Sequence, residues 1–209
     1  MEICGNGTDD DCDGLTDENC SSTLGLRLLI EGIYTGNGRM TAAADPLNDT
    51  LHSDTVTVQL AVSASPYTRV HSLKILLARD GSATANIPSA FVGSSYYLVI
   101  RHRNSLETWS SVPIAITAGT VNYDFTDAGS KAFGNNLKSS GDGYFSLFSG
   151  DVNQDNVIDF SDLADFDTVS TQHQTGYVPC DINGDRVVES SDGSLIENNA
   201  SGGRQSIRP

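Results

Sequence analysis

A chain of 209 residues with 38% hydrophobic side chains and 20 glycines is long enough for one real core and suits a turn-rich β protein. Its net charge of −15 excludes nucleic acid as a partner, because a phosphate backbone must be met by Lys and Arg. No apolar run approaches the length of a membrane span, which excludes insertion by a helix.

The charge is unevenly spread. Residues 1–20 carry seven acids and no base, residues 150–209 carry eleven acids and three bases, and residues 21–149 carry nine of each. Acid concentrated in two flanking segments points to bound cations.

Residues 1–22 form the first unit. Asp9, Asp11, Asp13 and Asp17 stand at positions one, three, five and nine of a twelve-residue loop, with Gly14 at the sharp turn and the Leu15 carbonyl at position seven. Position twelve is Cys20, which offers no carboxylate, so Glu18, Asp10 or water must complete the shell. Cys4, Cys12 and Cys20 are spaced eight apart, and no Cys-x-x-Cys suggests zinc or redox work. With Cys180 there are four cysteines. If all were oxidised within one chain, one of the first three would bond Cys180; a bond from Cys180 to the next molecule is the other outcome.

Residues 23–127 read as short strands separated by turns. The strands are Gly25–Ile30, Thr55–Val62, Leu73–Ala78, Ala83–Ile87, Tyr96–His102, Val112–Ala118 and Val121–Phe125, with turn signals at Gly36-Asn37-Gly38 and Arg79-Asp80-Gly81. Their number and interval predict a mainly β fold, a β-sandwich of immunoglobulin-like or transthyretin-like type, with a barrel as the alternative. Residues 128–149, rich in Gly, Ser and Asn, read as a linker whose aromatic residues dock on the sandwich edge.

Residues 150–209 hold one loop written twice. Asp151, Asn153, Asp155, Asp159 and Asp162 fill positions one, three, five, nine and twelve of the first copy, and Asp181, Asn183, Asp185, Glu189 and Asp192 those of the second. The carbonyls of Val157 and Val187 add a ligand at position seven. Such all-oxygen loops suit calcium, which takes roughly six to eight oxygens; zinc would want His or Cys. Ile158 and Val188 place an apolar residue beneath each ion, and Asn156 and Arg186 occupy the turn position, where Arg costs about 1 kcal/mol or more. Gly150 and Pro179 preclude an incoming helix, whereas Leu163, Phe166 and Val169 have the spacing of an outgoing one.

Asp-Val-Asn-Gln-Asp at 151–155, the 30-residue repeat, Asp at position twelve and the missing first helix together resemble a type I dockerin pair. In dockerins positions ten and eleven help recognise a cohesin; here they are Phe160-Ser161 and Ser190-Ser191, which differ between the copies. Residues 2–20 resemble a short acidic, Cys-containing metal-binding motif strung between domains of bacterial surface proteins. The stretch Tyr96–Trp109, followed by Asp124-Phe125 and the duplicated loops, resembles a C-terminal module of large surface proteins of Bacteroidetes-type bacteria.

For chemistry the sequence offers little. His52, His71, His102 and His173 lie in unrelated contexts, and neither a Gly-x-Ser-x-Gly elbow nor a phosphate-cradling glycine loop is present. His102 reads as a strand-end histidine tied to a carboxylate. Trp109 and the Tyr96-Tyr97 pair are the candidate sugar platform. The expectation is a secreted calcium-binding structural or adhesive module, extracellular or at the cell surface. It would be a building block of an assembly, filamentous ones included, and would not be an enzyme. Its partners would be other copies of itself or surface proteins. The alternative is a glycan-binding or cohesin-like partner-binding module.

Overall fold

The computed structural model describes residues 3–4, 6–14 and 20–209. Two sheets face each other. The smaller runs β10 (Gly119–Asp124), β1 (Ser22–Arg27), β6 (Ser82–Ile87), with β1 parallel to β10 and antiparallel to β6. The larger runs β5 (Arg69–Ala78), β4 (His52–Val62), β7 (Ser95–His102), β8 (Ser105–Trp109), with the short β9 (Ile114–Ala115) also on β7. A hairpin of β2 (Tyr34–Gly36) and β3 (Arg39–Met40) turns at Asn37-Gly38, both left-handed.

Strand alternation sends every second residue inward. Leu24, Leu26, Ala85 and Ile87 of the small sheet meet Val56, Val58, Leu60, Leu77, Leu98 and Ile100 of the large one in a single buried cluster. This is a β-sandwich with two helices appended. Truncating one of these buried side chains to Ala would cost about 2–5 kcal/mol.

Two strands depart from expectation. The 112–118 strand shrinks to Ile114–Ala115, because Pro113 has no N–H to donate to a ladder. β1 ends at Arg27, and Leu28, Leu29 and Ile30 are all fully buried where the chain crosses toward Leu147. Residues 128–149, read from sequence as a linker, lie on the sandwich rather than in open solvent. They contain β11 (Lys138–Ser139) paired with β12 (Phe145–Ser146), and Ala132, Leu137 and Leu147 join the main core.

Helices α1 (Phe160–Thr171) and α2 (Ser190–Ser201) follow the two loops. A second buried cluster of Val152, Ile158, Phe166, Ile182, Val188 and Ile196 lies between them, and it is continuous with Leu106 and Phe148 of the sandwich. Phe166 reaches this core because Gly193 leaves it room: a Cβ there would sit 2.7 Å from the ring.

The cysteines correct the expected link to Cys180. Cys4 is bonded to Cys20, Cys12 is an exposed thiol, and Cys180 is a free thiol buried in the second cluster. Packed among apolar side chains, Cys180 acts as a small hydrophobe and is not bonded to the N-terminal cysteines.

Candidate metal centre

The two C-terminal loops share most of their hydrogen-bond pattern. Asp162 Oδ1 accepts from the amides of Val152 and Asn153 at 2.8 and 3.3 Å, and its Oδ2 accepts from Asp159 N at 3.0 Å. Asp192 does the same with Ile182, Asn183 and Glu189 at 2.7, 3.0 and 3.1 Å. Asn153 Oδ1 takes the Asp155 amide and Asp155 Oδ1 the Val157 amide, both at 2.9 Å; Asn183 and Asp185 match them at 2.9 and 2.8 Å. Positions nine and twelve thus serve each helix as N-cap and N3, a capping box built from the same residues that would hold an ion.

Backbone handedness repeats as well. Positions four and six are left-handed in both copies: Gln154 and Asn156 at φ 62° and 74°, Gly184 and Arg186 at 75° and 71°. Arg186 bears that strain while its Nη2 donates to the Ala44 carbonyl at 2.7 Å on the sandwich. Each loop then pairs with the segment leaving the opposite helix. Ser206 N and Gly176 N donate to the carbonyls of Asn156 and Arg186, each at 2.8 Å, so the two units are linked crosswise. Ile158 and Val188 both lie in the shared core.

The first-position aspartates show what the loops lack. Asp151 is 1% exposed; one oxygen takes the Asn156 amide at 3.2 Å and the other has no hydrogen-bond partner among the described residues. Asp181 is fully buried, and neither of its oxygens has one. A buried carboxylate left this way is costly to ionise. Burial, with Asp162 and Asp155 close by, pushes Asp151 up to about 7. Burial likewise raises Asp162, Asp192 and Asp181, the last in spite of Arg103. Orphaned oxygens, clustered carboxylates and a donor set without nitrogen or sulfur fit a hard divalent cation. Asp151, Asn153, Asp155, Val157, Asp159 and Asp162 would hold one, and Asp181, Asn183, Asp185, Val187, Glu189 and Asp192 a second.

At the N-terminus Asp9, Asp11 and Asp13 bring one carboxylate oxygen each to within 4.8 Å of one another. Asp9 accepts from the amides of Asp13 and Gly14 at 3.2 and 2.9 Å, and Cys12 and Gly14 are left-handed at positions four and six, as in the other loops. Leu15, Asp17 and Glu18, the remaining expected ligands, lie outside the described residues.

The turn between β7 and β8 holds both C-terminal loops, a role the sequence reading missed. Arg103 donates to the carbonyls of Val178 and Asp181, lies 3.4 Å from Asp54 and stacks on Tyr177 at 4.4 Å. Asn104 donates to the carbonyls of Pro179 and Asp181. The only signal in the sequence was the turn-forming Arg-Asn pair between two apolar runs.

Asp54, with no sequence signal at all, sits behind that turn. It is fully buried beside His102 Nε2 at 3.2 Å, and it accepts from the Tyr177 hydroxyl. Burial opposes its charge, but His102, Arg103 and Tyr177 prevail and hold it down at about 2. Burial lowers His102, whose Nδ1 lies 2.9 Å from Ser105 Oγ. The acid, imidazole and hydroxyl are in hydrolytic order, but His102 and Ser105 are only 3% and 1% exposed.

Trp109 is also buried. It packs with Tyr67 and Tyr97 and donates its Nε1–H to Glu107 at 2.8 Å, so it presents no open platform to a sugar.

No protein-family model and no curated protein matches the sequence. Among solved structures, two chains from type II cohesin–X–dockerin complexes of Acetivibrio cellulolyticus are similar in shape. One complex is an N-terminal interface mutant; its chain is 15% identical, with a TM-score of 0.49, covering 87% of this chain and 99% of that one. The other is a C-terminal interface mutant; its chain is 16% identical, with the same TM-score and coverage. At those values the likeness has no bearing on the site. Among the described residues no helix is long and apolar enough to cross a membrane.

Proposed function

We propose that the chain is a calcium-binding, non-catalytic module of an extracellular or cell-surface assembly. Residues 150–209 act as a dockerin-like pair of calcium loop-helix units, and the Asp9, Asp11 and Asp13 cluster holds a further ion. The observation that carries this reading is the pair of buried first-position carboxylates, three of whose four oxygens have no hydrogen-bond partner among the described residues, with only Arg103 at 4.0 Å from Asp181 as a counter-charge. Because the loops share a core with the sandwich, ion binding would stiffen the whole chain, as suits a structural or adhesive building block.

A second reading, recognition of a protein partner such as a cohesin, is favoured by Phe160. It stands at position ten of the first loop and is 82% exposed, an aromatic side chain open to contact. Calorimetric titration of chelator-treated protein tests the main reading. Uptake of at least two calcium ions, with protease protection across residues 150–200, is expected; no uptake at about 1 mM, an extracellular level, would refute it.

A further inference from the structure

A cleft of about 810 Å³ opens on the outer face of the large sheet, between β4, β5, β7, the first loop and Tyr177. Its nine lining residues include Lys74, Arg101 and Arg103 and no carboxylate, although the chain carries −15 overall. The register explains the concentration. Thr57 of β4 lies opposite Lys74 on one side and Arg101 on the other, so a cation, a hydroxyl and a cation form a row across three strands. Neighbouring strands are about 4.8 Å apart, so an anion over Thr57 is within reach of both cations.

The positive charge there is only partly neutralised. Glu107 is shared by two guanidinium groups: Arg69 at 2.7 Å to both oxygens and Arg101 at 3.3 Å. One carboxylate therefore balances two cations. Arg103 is engaged by Asp54, and Lys74 has no carboxylate partner among the described residues. Gln59 lines the cleft, and its side-chain oxygen is buried with no hydrogen-bond partner among the described residues.

We propose that this cleft binds an acidic saccharide, its carboxylate met by Lys74 and Arg101 and its hydroxyls by Thr57 and Gln59. The lining contains no aliphatic side chain to receive the apolar residues of a peptide. It is also a sheet face, not an edge, so it offers no backbone for a peptide strand to extend. Hydroxyl and amide groups beside unspent cations suit a sugar acid. The cleft borders the first loop through Gln154, but its ligand is recognised without the calcium ligands and without Trp109.

The test is calorimetry of the calcium-loaded protein with a tetrasaccharide of alternating glucuronate and N-acetylglucosamine, a neutral chitotetraose and a tetraglutamate peptide. Saturable binding of the acidic sugar alone is expected, with affinity reduced at least about tenfold in Lys74→Glu, the loss of one charge-assisted contact. Lys74 is exposed, so that variant should keep the wild-type melting temperature, and Arg101→Gln should weaken binding in the same direction. The proposal is overturned by absence of binding, by equal binding of chitotetraose, by equal binding of tetraglutamate, which would make the partner an acidic peptide, or by unchanged affinity in Lys74→Glu.

Discussion

Asn104 donates its side-chain amide to the Asp181 carbonyl at 3.2 Å, at the first position of the second loop, while its own carbonyl accepts the Gly150 amide at 2.7 Å, directly before the first. A single fully buried residue in the β7–β8 turn therefore fixes the start of both loops. Asn104→Ala strips the carbonyls of Pro179 and Asp181 of a donor. It should cost about 1–3 kcal/mol, or roughly 2–12 °C in Tm for a chain of this size. The gain in Tm on adding calcium should shrink too, because the loops would start from a looser arrangement. Scanning calorimetry with and without calcium measures both; an unchanged calcium gain would mean that the turn supports the fold but not the loops.

Proton and calcium should compete at Asp151. Its folded value is raised to about 7 against 3.8 unfolded, so its contribution to metal-free stability is full below 3.8 and is lost as pH rises toward 7. The lowered His102 acts in the opposite sense, destabilising the fold as pH falls below 6.5, but it does so with or without calcium and cancels in the difference. Asp54, depressed to about 2, contributes stability that is lost only below 3.8. The calcium-induced rise in Tm should thus be larger at pH 7 than at pH 5. A rise of the same size at both would contradict the ionisation assigned to Asp151.

Much of the C-terminal unit was legible because one set of residues carries two signals. Asp159 and Asp162 are spaced as ligands and also serve as N-cap and N3 of α1, so the loop register marks the helix start that the Leu163, Phe166 and Val169 spacing pointed to. The strands with clean alternation, Thr55–Val62 above all, were legible for the same period-two reason. β8 was not: all five of its residues are buried, since it packs against the sandwich and the loop unit at once, which erases the alternation. Nor was Asp54, whose partners His102, Arg103 and Tyr177 lie about 50 and 120 residues away in sequence. Spacing also left the cysteine pairing open; burial of Cys180 decides it.

Thiol chemistry should reflect that burial. Desolvation, reinforced by Asp165, Asp192 and Asp162, pushes the Cys180 thiol up to about 11, so little thiolate exists at pH 8 and none of it is accessible. A colorimetric thiol reagent should modify one cysteine per native chain, the exposed Cys12, and two after unfolding without reductant. Two fast-reacting thiols in the native protein would show that Cys180 is open to solvent.

Glu107 links the aromatic cluster to the basic face of the sheet. Only 3% exposed, it receives Arg69, Arg101 and the Trp109 indole N–H, so three donors converge on one carboxylate. Glu107→Ala takes the acceptor from the Trp109 indole N–H and from two partly exposed guanidinium groups and should cost about 1–3 kcal/mol. Glu107→Gln keeps an acceptor for Trp109 and should cost less, with Trp109 emission remaining that of a buried indole. The same Gln variant removes the one charge shared by Arg69 and Arg101, so it should bind the acidic tetrasaccharide more tightly than wild type. Thermal melts rank the two variants, and calorimetry on the Gln variant reads the cleft. Weaker sugar binding in a Gln variant that melts near wild type would show that Arg101 needs Glu107 to hold it in place.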